Sequence, residues 1–392
     1  MRVAHVITRL IVGGAQENTL ASVLGLRGQP GMEVELLAGP TTGPEGSLEG
    51  RAREVPGLLT VVPSLVRAVH PWQDARAYLA LRRHFRVRRP DLVHTHSGKA
   101  GILGRWAAHA AGVPIIVHTI HGPSFGPFQG AVPNAVYRTA ERRAGRVTTH
   151  FVVVAQAMRD QYLAAGIGRA EQYTRIWSGF PLEAYLAARS DPDFRARLGL
   201  GPEDVVVGKM ARLFRLKGHD DLLAVAPRLW AARPNLKLLL VGDGEWRKRF
   251  EARVAASGWS GRVVFAGLVP PEAVPQYVGA MDVLVHLSTR EGLARALPQA
   301  LAAGKPVVAY DCDGAHEVCL EGETGFLVRP GDLATLAQRL VALADDAGLR
   351  ARLGARGRAL VAEAFPVERM VTDLAALYRR LAGDRRGGEA AA

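Results

Sequence analysis

Two cations and one carboxylate have the types and spacing to bind a ligand that contains a diphosphate. Arg212 follows the strand-like run "VVVGKM", and Lys217 comes five residues later, directly before a glycine and a predicted helix. Arginine binds phosphate oxygens as a bidentate fork and lysine as a point charge, so the pair could neutralise a leaving diphosphate without a divalent metal. The alternative is two surface cations in an ordinary loop.

The carboxylate, Glu291, lies in "STREGLARALPQALAAGKPVVAY". The pattern predicts a helix that begins near Glu291, where the carboxylate accepts hydrogen bonds from sugar hydroxyls and the amides of Gly292, Leu293 and Ala294 face phosphate or sugar oxygens. Gln299 then lies about two turns along the same helix, within reach of another part of an elongated ligand. In a purely structural alternative, Glu291 only caps the helix.

Glycines follow two of the predicted strands. Gly13 and Gly14, in "GGAQENTL", open the first predicted helix, where a bare backbone and free amides favour a phosphate, although a plain tight turn would have the same composition. Gly267 and Leu268 end the run "VVFAGLV" and could frame a base with backbone groups. The glycines of "VGDGEW" predict a tight corner between a strand and a helix.

Histidines and aspartates cluster at three further strand ends. In "HTH" and "HTIHG", packing is expected for His94 and His118, and polar ligand contacts are expected for His96 and His121. No acidic residue accompanies these histidines, so we predict no metal site. The motif "YDCDG" contains Asp-x-Asp, and we interpret it as a loop whose aspartates cap neighbouring amides.

The elements that must position these residues repeat in two sets. Strand-like runs alternate with helix-like segments from residue 1 to the run "THFVVVA", and the alternation starts again at Val205. This pattern predicts two Rossmann-like α/β domains, each a doubly wound parallel sheet, which face each other across a ligand-binding cleft. We predict a first domain at 1–185, a second at 186–366, and at 367–392 a helix that packs back toward the first domain and ends in a frayed tail.

The bulk composition is that of an ordinary globular protein. The chain has 392 residues, of which 48% are hydrophobic and 22% charged, and its formal net charge is +13. No apolar run approaches the roughly 20 residues that cross a bilayer. With only two cysteines and no export signal, the expected location is the cytoplasm, with peripheral association at the inner face of the membrane.

The positive charge is concentrated in the first half of the chain. Residues 1–185 contain 21 Lys and Arg against 12 Asp and Glu, and the densest cluster is "RRHFRVRRP". A solvated helix face, nucleic acid, anionic lipid or a phosphorylated substrate would each fit this charge. Aromatic residues are 6% of the chain and no base-stacking platform is visible, so nucleic acid is the less favoured partner.

Taken together, these motifs resemble the retaining, nucleotide-sugar-dependent glycosyltransferases of family 4, which have the GT-B fold. The similarity extends over nearly the whole chain and is most specific in "REGLARALPQALAAGKPVVA". In the family this segment carries two glutamates eight positions apart, the first for the donor sugar and the second for the ribose. Here Gln299 stands in the second position, where an amide still hydrogen-bonds hydroxyls but without a charge.

The resemblance implies a role for each matching residue. Glu291 would contact the donor sugar, Arg212 and Lys217 the diphosphate, and His121 the reacting sugar, while the paired glycines approach the phosphates from the first domain. It also implies transfer of a hexosyl group to an acceptor hydroxyl with retention of anomeric configuration. No metal or other cofactor is needed, because the cations and helix N-termini stabilise the departing diphosphate.

Two other enzymatic activities and one binding activity remain as alternatives. A nucleotide-sugar epimerase or a phosphorylase could use the same fold, and a basic nucleic-acid-binding protein would fit the charge of the first half. For the transferase, we expect a sugar or a lipid-linked acceptor in cell-envelope polysaccharide or glycolipid assembly, with peripheral contact to the anionic inner face of the membrane.

Overall fold

The chain folds into two compact units, which are described here in turn. A computed structural model describes residues 1–43 and 46–390, with side chains as far as residue 384. The first unit comprises Met1–Phe180 together with the C-terminal helix from Val367, and the second comprises Pro181–Pro366. The division between Phe180 and Pro181 lies five residues before the predicted boundary at 185.

The first unit is built on a parallel sheet of seven strands in the order β3-β2-β1-β4-β5-β6-β7. Its central strands β4 and β5 are buried at every residue, as expected for parallel strands that are covered on both faces, although both contain histidine and threonine. The strands are β1 Arg2–Ile7, β2 Glu33–Ala38, β3 Leu59–Val61, β4 Leu92–His96, β5 Ile115–Ile120, β6 His150–Val153 and β7 Tyr173–Arg175.

Helices connect these strands, and the last helix of the chain returns to them. The helices are α1 Gly14–Arg27, α2 Glu49–Arg53, α3 Pro71–Arg88, α4 Gly98–Ala110, α5 Ala131–Gly145 and α6 Gln156–Ala164, with α15 Val367–Ala390 at the end. Met370, Leu374 and Tyr378 of α15 share a core cluster with residues of β1 and α1. A Cβ at Gly25 of α1 would overlap the side chain of Val371, so glycine permits the close approach of the two helices.

The second unit repeats the same architecture with six parallel strands in the order β10-β9-β8-β11-β12-β13. Its strands are β8 Val205–Met210, β9 Leu236–Val241, β10 Val263–Gly267, β11 Val283–His286, β12 Val307–Tyr310 and β13 Gly325–Val328. Its helices are α7 Glu183–Ala187, α8 Pro192–Arg197, α9 His219–Ala232, α10 Arg247–Ala256, α11 Val274–Ala280, α12 Ala296–Ala302, α13 Leu333–Asp345 and α14 Ala347–Ala364.

The strand order reverses direction once in each sheet. The reversal falls between β1 and β4 in the first unit and between β8 and β11 in the second. Connections leave the two strands at such a point in opposite directions, which opens a crevice outside their carboxyl ends. Polar side chains at the ends of these four strands are therefore placed to meet a ligand.

The two doubly wound parallel sheets confirm the predicted fold class, with differences in detail. Three short strands, β3, β7 and β13, were not expected from the sequence. The predicted frayed tail is wrong for most of its length, because α15 continues as a helix to Ala390. The last two residues of that tail lie outside the described residues.

A buried ion pair ties α4 to α5 in the first unit. Nη2 of Arg105 lies 2.6 Å from Oε2 of Glu141, and both side chains are fully buried. The remaining groups are also satisfied: Nε of Arg105 donates to the Gly101 carbonyl at 2.8 Å, and the Ser124 hydroxyl donates to Oε1 of Glu141 at 2.9 Å. These two helices follow β4 and β5, so the pair helps to hold the strand ends that carry His96 and His121.

Replacing Glu141 with glutamine should leave the Arg105 charge buried without a counter-charge. We expect the Glu141→Gln variant to lose about 3–5 kcal/mol of unfolding free energy, measured by urea denaturation. Glu171→Gln is the matched control, because Arg169 and Glu171 form an ion pair on the surface with side chains 72% and 68% exposed. A Glu141→Gln midpoint as high as that of the control would contradict a stabilising role for the pair.

Candidate active site

An ion pair of the second unit lies where the strand order reverses, at the carboxyl ends of β8 and β11. Nζ of Lys217 forms an ion pair with Oε1 of Glu291 and lies 3.3 Å from the hydroxyl of Ser288. The Lys217 and Glu291 side chains are 17% and 27% exposed. The structure therefore brings together two residues that are 74 positions apart in the sequence and that we had assigned to one ligand.

Backbone geometry around Gly218 fixes the position of Lys217. Gly218 has φ 67°, in the left-handed region that favours glycine, and a Cβ there would overlap the carbonyl oxygen of Leu287. The loop before it is held to the end of β11, since the amide of Thr289 donates to the Leu216 carbonyl at 3.0 Å. Lys217 is thus attached to the segment that carries Glu291.

Glu291 remains a carboxylate although it is largely enclosed. Burial alone would raise the pKa of Glu291, but His286 and Lys217 together lower it well below its usual value. Nε2 of His286 lies 3.7 Å from Oε1 of Glu291. The carboxylate is therefore available as a hydrogen-bond acceptor across the physiological pH range.

The predicted helix begins later than the sequence suggested. Helix α12 starts at Ala296, so Glu291 precedes it by five residues and neither begins nor caps it. Oδ2 of Asp313 accepts the amide of Glu291 at 2.7 Å, and the carbonyl of Gly292 accepts the amide of Gly314 at 2.9 Å. These bonds hold residues 291 and 292 in a loop against the "YDCDG" segment, whose Asp313 thus caps a loop amide.

Because α12 starts at Ala296, Gln299 does not lie two turns along a helix that begins at Glu291, as the sequence had predicted. Gln299 is the fourth residue of α12 and is half-buried, whereas Glu291 is not on that helix. Gly292, Leu293 and Ala294 are buried loop residues, so the prediction that their amides form a helix N-terminus is wrong. Pro298 was an overlooked signal, since proline is tolerated in a first helical turn and disrupts an interior one.

The other predicted residues of the second unit lie at strand ends. Arg212 is exposed two residues beyond β8, with its Cζ 5.7 Å from the centre of the Phe214 ring. Gly267 ends β10 with φ 73°, and its carbonyl accepts the amide of Gly242 at 2.9 Å. Leu268, the next residue, is 54% exposed.

Three buried basic groups near Lys217 were missed by the sequence analysis. Lys209 of β8 is 0% exposed, His219 at the start of α9 is 2% exposed, and His286 at the end of β11 is 5% exposed. Among the described residues, Nζ of Lys209 and both ring nitrogens of each histidine have no hydrogen-bond partner. A lysine inside the apolar run "VVVGKM" was the signal, because an amine buried in a strand is costly without a function.

Burial is the main determinant of the protonation states of Lys209 and His219. Burial and the neighbouring Lys217 lower the pKa of Lys209 to about 7, while Asp221 and Glu291 act in the opposite direction. Burial, Lys209 and Lys217 also lower the pKa of His219 to about 2. His219 is therefore neutral at pH 7. The pKa of Lys209 is close to 7, so its amine is present in both the charged and the neutral form at that pH.

In the first unit, the predicted glycines and histidines lie at the corresponding edge of the sheet. Gly13 is the residue before α1 and Gly14 is its first residue, and Gly13 has an extended backbone with φ 174°. His121 follows β5 and is partly exposed, while His96, the last residue of β4, is 1% exposed. Nδ1 of His96 and Nε2 of His121 are 3.0 Å apart.

His5 joins this group, which the sequence alone did not reveal. His5 of β1 pairs in register with His94 of β4, so both side chains project from the same face of the sheet. One ring nitrogen each of His5, His94 and His96 lies within 4.8 Å of the others, which is a geometry that a metal ion could use. His118 points to the other face and is 2.9 Å from the Thr95 hydroxyl.

Comparisons with known families account for nearly all of the chain. The family model described as "Glycosyl transferase 4-like domain" matches residues 13–177, and "Glycosyl transferases group 1" matches residues 190–360. Among curated relatives, 2-deoxystreptamine glucosyltransferase of Streptomyces kanamyceticus is 31% identical over 85% of this chain and 88% of its own. An Escherichia coli enzyme, UDP-Gal:alpha-D-GlcNAc-diphosphoundecaprenol alpha-1,3-galactosyltransferase, is 27% identical over 73% of this chain and 74% of its own.

Solved structures agree with this relationship. The crystal structure of Anabaena Alr3699/HepE in complex with UDP and glucose has a TM-score of 0.81 at 25% identity, covering 97% of this chain and 99% of that one. Sucrose-phosphate synthase from Thermosynechococcus elongatus has the same fold, with a TM-score of 0.81 at 22% identity over 98% of this chain and 100% of that one.

The two sheets, the charged site and these relatives define an enzyme class. The chain belongs to the glycosyltransferases with the GT-B fold, of the family 4 type, and is a nucleotide-sugar-dependent glycosyltransferase. Of the activities that the sequence left open, family membership favours glycosyl transfer. None of the helices in the described part of the chain is long and apolar enough to span a membrane.

The buried amine of Lys209 should make the stability of the enzyme depend on pH. Its folded pKa of about 7 lies below the ordinary value of 10.5, so between these pH values the unfolded chain binds a proton that the folded chain does not. The contribution of Lys209 to the free energy of unfolding therefore rises with pH across this window. Lys209→Met, which keeps most of the volume, should stabilise the protein by about 1–3 kcal/mol at pH 7 and by less as pH approaches 10.5.

Urea denaturation at several pH values would measure this difference. Lys248→Met is the control, because Lys248 is an exposed residue of α10 and should show no such pH-dependent gain. A stability gain for Lys209→Met that is the same at every pH would show that the charge of Lys209 is not its cause.

Proposed function

We propose that this enzyme transfers a hexosyl group from a nucleoside diphosphate sugar to an acceptor hydroxyl, with retention of configuration and without a metal ion. The Lys217–Glu291 ion pair at the order reversal of the second sheet is the observation that carries the proposal. A cation for a diphosphate and a carboxylate for sugar hydroxyls are held in contact there. A nucleoside diphosphate sugar carries both a diphosphate and sugar hydroxyls, so one ligand would contact both side chains.

Lys217 and Arg212 would stabilise the charge that develops on the departing diphosphate. Partly enclosed charges interact more strongly than charges in water, and a fixed cation needs no reorganisation as the bond breaks. Arg212 is exposed and would close over the phosphates as a bidentate fork. With two protein cations in this role, a divalent metal would be unnecessary, and no other cofactor is proposed.

Glu291 would bind hydroxyls of the donor sugar, and Gln299 would hydrogen-bond the ribose. The low pKa of Glu291 supports the first role, because the carboxylate stays charged when the ligand excludes water. Gly267 and Leu268 would lie against the base, and the loop of Gly292, Leu293 and Ala294 against the sugar and phosphates. In the first unit, Gly13 and Gly14 would bind phosphate oxygens, and His121, supported by His96, would contact the reacting sugar.

Transfer assays with a panel of nucleoside diphosphate sugars would test this proposal. Lys217→Ala and Glu291→Gln should each lower kcat/KM at least about 100-fold, since each removes a charged contact to the transition state. The wild-type enzyme should keep its activity in EDTA, and nuclear magnetic resonance of the product should show the anomeric configuration of the donor. Gln299→Ala should mainly raise KM for the donor.

Lys248→Ala serves as the control for these variants, because Lys248 is an exposed lysine on α10. Full activity of Lys217→Ala or Glu291→Gln would remove the corresponding residue from the mechanism. Inverted product configuration, or loss of activity in EDTA that a divalent metal restores, would refute retention or metal independence respectively.

For the acceptor, we propose a sugar or lipid-linked sugar of envelope polysaccharide or glycolipid assembly, reached from the cytoplasmic side. The E. coli relative described above acts, by its name, on a diphosphoundecaprenol-linked sugar. The Staphylococcus aureus relative CapM, 23% identical, is named for capsular polysaccharide biosynthesis. Helix α5 supports a membrane contact, since Val132 is 74%, Val136 60% and Tyr137 37% exposed beside arginines of the same helix.

We place this contact on helix α5 and not on the basic cluster of α3. Arg88 in that cluster forms ion pairs with Glu33 at 3.2 Å and Glu35 at 3.8 Å, and these carboxylates neutralise part of the positive charge of the cluster. The exposed valines of α5 can enter the headgroup region while the arginines bind anionic phosphates. The proposed contact is peripheral and reversible.

Sedimentation with vesicles would test the membrane contact. The wild-type protein should sediment with phosphatidylglycerol-containing vesicles and much less with pure phosphatidylcholine, and Val132→Ser/Val136→Ser should lower this binding about tenfold. Val69→Ser is the control, because Val69 is 71% exposed outside α5. Equal sedimentation with both vesicle types would contradict the proposed contact.

A further inference from the structure

A continuous chain of hydrogen bonds runs through the core of the first unit, from β5 through the C-terminal helix to His121. We call this chain the histidine relay. Its members, in order, are Thr119, His94, Tyr378, His5, His96 and His121. Every member except His121 is less than 5% exposed.

Each link of the relay is a hydrogen bond between specific atoms. Nε2 of His94 is 2.6 Å from the Thr119 hydroxyl, and Nδ1 of His94 contacts the Tyr378 hydroxyl. The same hydroxyl is 3.3 Å from Nε2 of His5. Nδ1 of His5 is then 2.9 Å from Nε2 of His96, whose Nδ1 is 3.0 Å from Nε2 of His121.

All the rings in the relay are neutral at pH 7. Burial lowers the pKa of His5 and of His121 to about 3, and burial together with the neighbouring rings holds the pKa values of His94 and His96 well below that of an ordinary histidine. Burial also raises the pKa of Tyr378, so its hydroxyl keeps its proton. A neutral imidazole has one N–H donor and one lone-pair acceptor.

These facts couple the tautomers of the four histidines. A ring that accepts at one nitrogen must donate at the other, so the direction of donation passes unchanged along the relay. If the Thr119 hydroxyl donates to His94, every ring carries its proton on Nδ1; if His94 donates to Thr119, every ring carries it on Nε2. Any mixture places two protons or two lone pairs against each other, which is costly in a buried network.

We propose that the histidine relay sets the tautomer of His121, and that Tyr378 is a positioning residue because its hydroxyl connects His94 to His5. In the described part of the chain, Nδ1 of His121 has no hydrogen-bond partner, so the relay decides whether it offers a donor or an acceptor to a ligand. The consequence for catalysis rests on the proposed function, in which His121 contacts the reacting sugar. The C-terminal helix thereby acts on a residue at the edge of the sheet.

A metal ion at His5, His94 and His96 is the competing explanation for this cluster. A metal would take lone pairs that now accept hydrogen bonds, and it would bury a double positive charge among neutral groups without a carboxylate ligand. Hydrogen bonds already engage both ring nitrogens of all three histidines. The relay therefore explains the cluster more completely.

Long-range ¹H–¹⁵N spectra of ¹⁵N-histidine-labelled enzyme at pH 7 would test the relay directly. We expect His5, His94, His96 and His121, assigned with single His→Gln variants, to show the same tautomer, either all Nδ1–H or all Nε2–H. A mixed set in the wild-type enzyme would overturn the proposal. This measurement needs no glycosyl transfer, so it stands whether or not the proposed function is correct.

Tyr378→Phe removes the hydroxyl that joins His94 to His5. We expect it to change the tautomer population of His121 and to lower kcat/KM for transfer roughly fivefold, with no further loss in a His121→Gln background. Tyr173→Phe is the control, because Tyr173 is another buried tyrosine of this unit, whose hydroxyl donates to the Ile167 carbonyl at 2.6 Å. An unchanged His121 tautomer in folded Tyr378→Phe would overturn the role of Tyr378.

Elemental analysis of enzyme purified without chelators would separate the relay from the metal site. We expect no stoichiometric transition metal. One equivalent of metal in the wild-type enzyme that is lost in His5→Gln would overturn the relay, since those nitrogens would then be metal ligands.

Discussion

The reversal of strand order in each parallel sheet is the constraint on which both groups of functional side chains depend. Parallel strands present their carboxyl ends at one edge, and the crevice opens only where connections diverge. Lys217 and Glu291 follow β8 and β11, the two strands at the reversal in the second unit. In the first unit His5 and His94 lie on the equivalent strands β1 and β4.

The side chains at the two reversals differ in charge. The second unit gathers charge, with Lys217 and Glu291 in contact and the buried amine of Lys209 behind them. The opposite charges of Lys217 and Glu291 lower the cost of burying each other, whereas burial and the like charge of Lys217 lower the pKa of Lys209, which has no hydrogen-bond partner among the described residues. The first unit instead gathers neutral rings, whose hydrogen bonds satisfy one another without any net charge.

Much of the fold and part of the site could be predicted from the sequence. Apolar strand-like runs followed by helices predicted two doubly wound sheets, and the resemblance to family 4 selected Lys217 and Glu291. The start of α12 was predicted wrongly, because local pattern favours a helix from Glu291 onward. The backbone of residues 291 and 292 instead bonds Asp313 and Gly314, and such distant partners leave no trace in a local pattern.

The sequence by itself determined where strands end and which side chains stand there, since hydrophobic periodicity and glycine punctuation are local properties of the chain. Only the tertiary structure decided which of those ends meet. His5 acquires His96 and Tyr378 as neighbours from positions 91 and 373 residues away, and Lys209 loses contact with water because helices and strands close around it. Burial, hydrogen-bond partners and pKa all depend on what surrounds a side chain in space, and sequence spacing does not encode those surroundings.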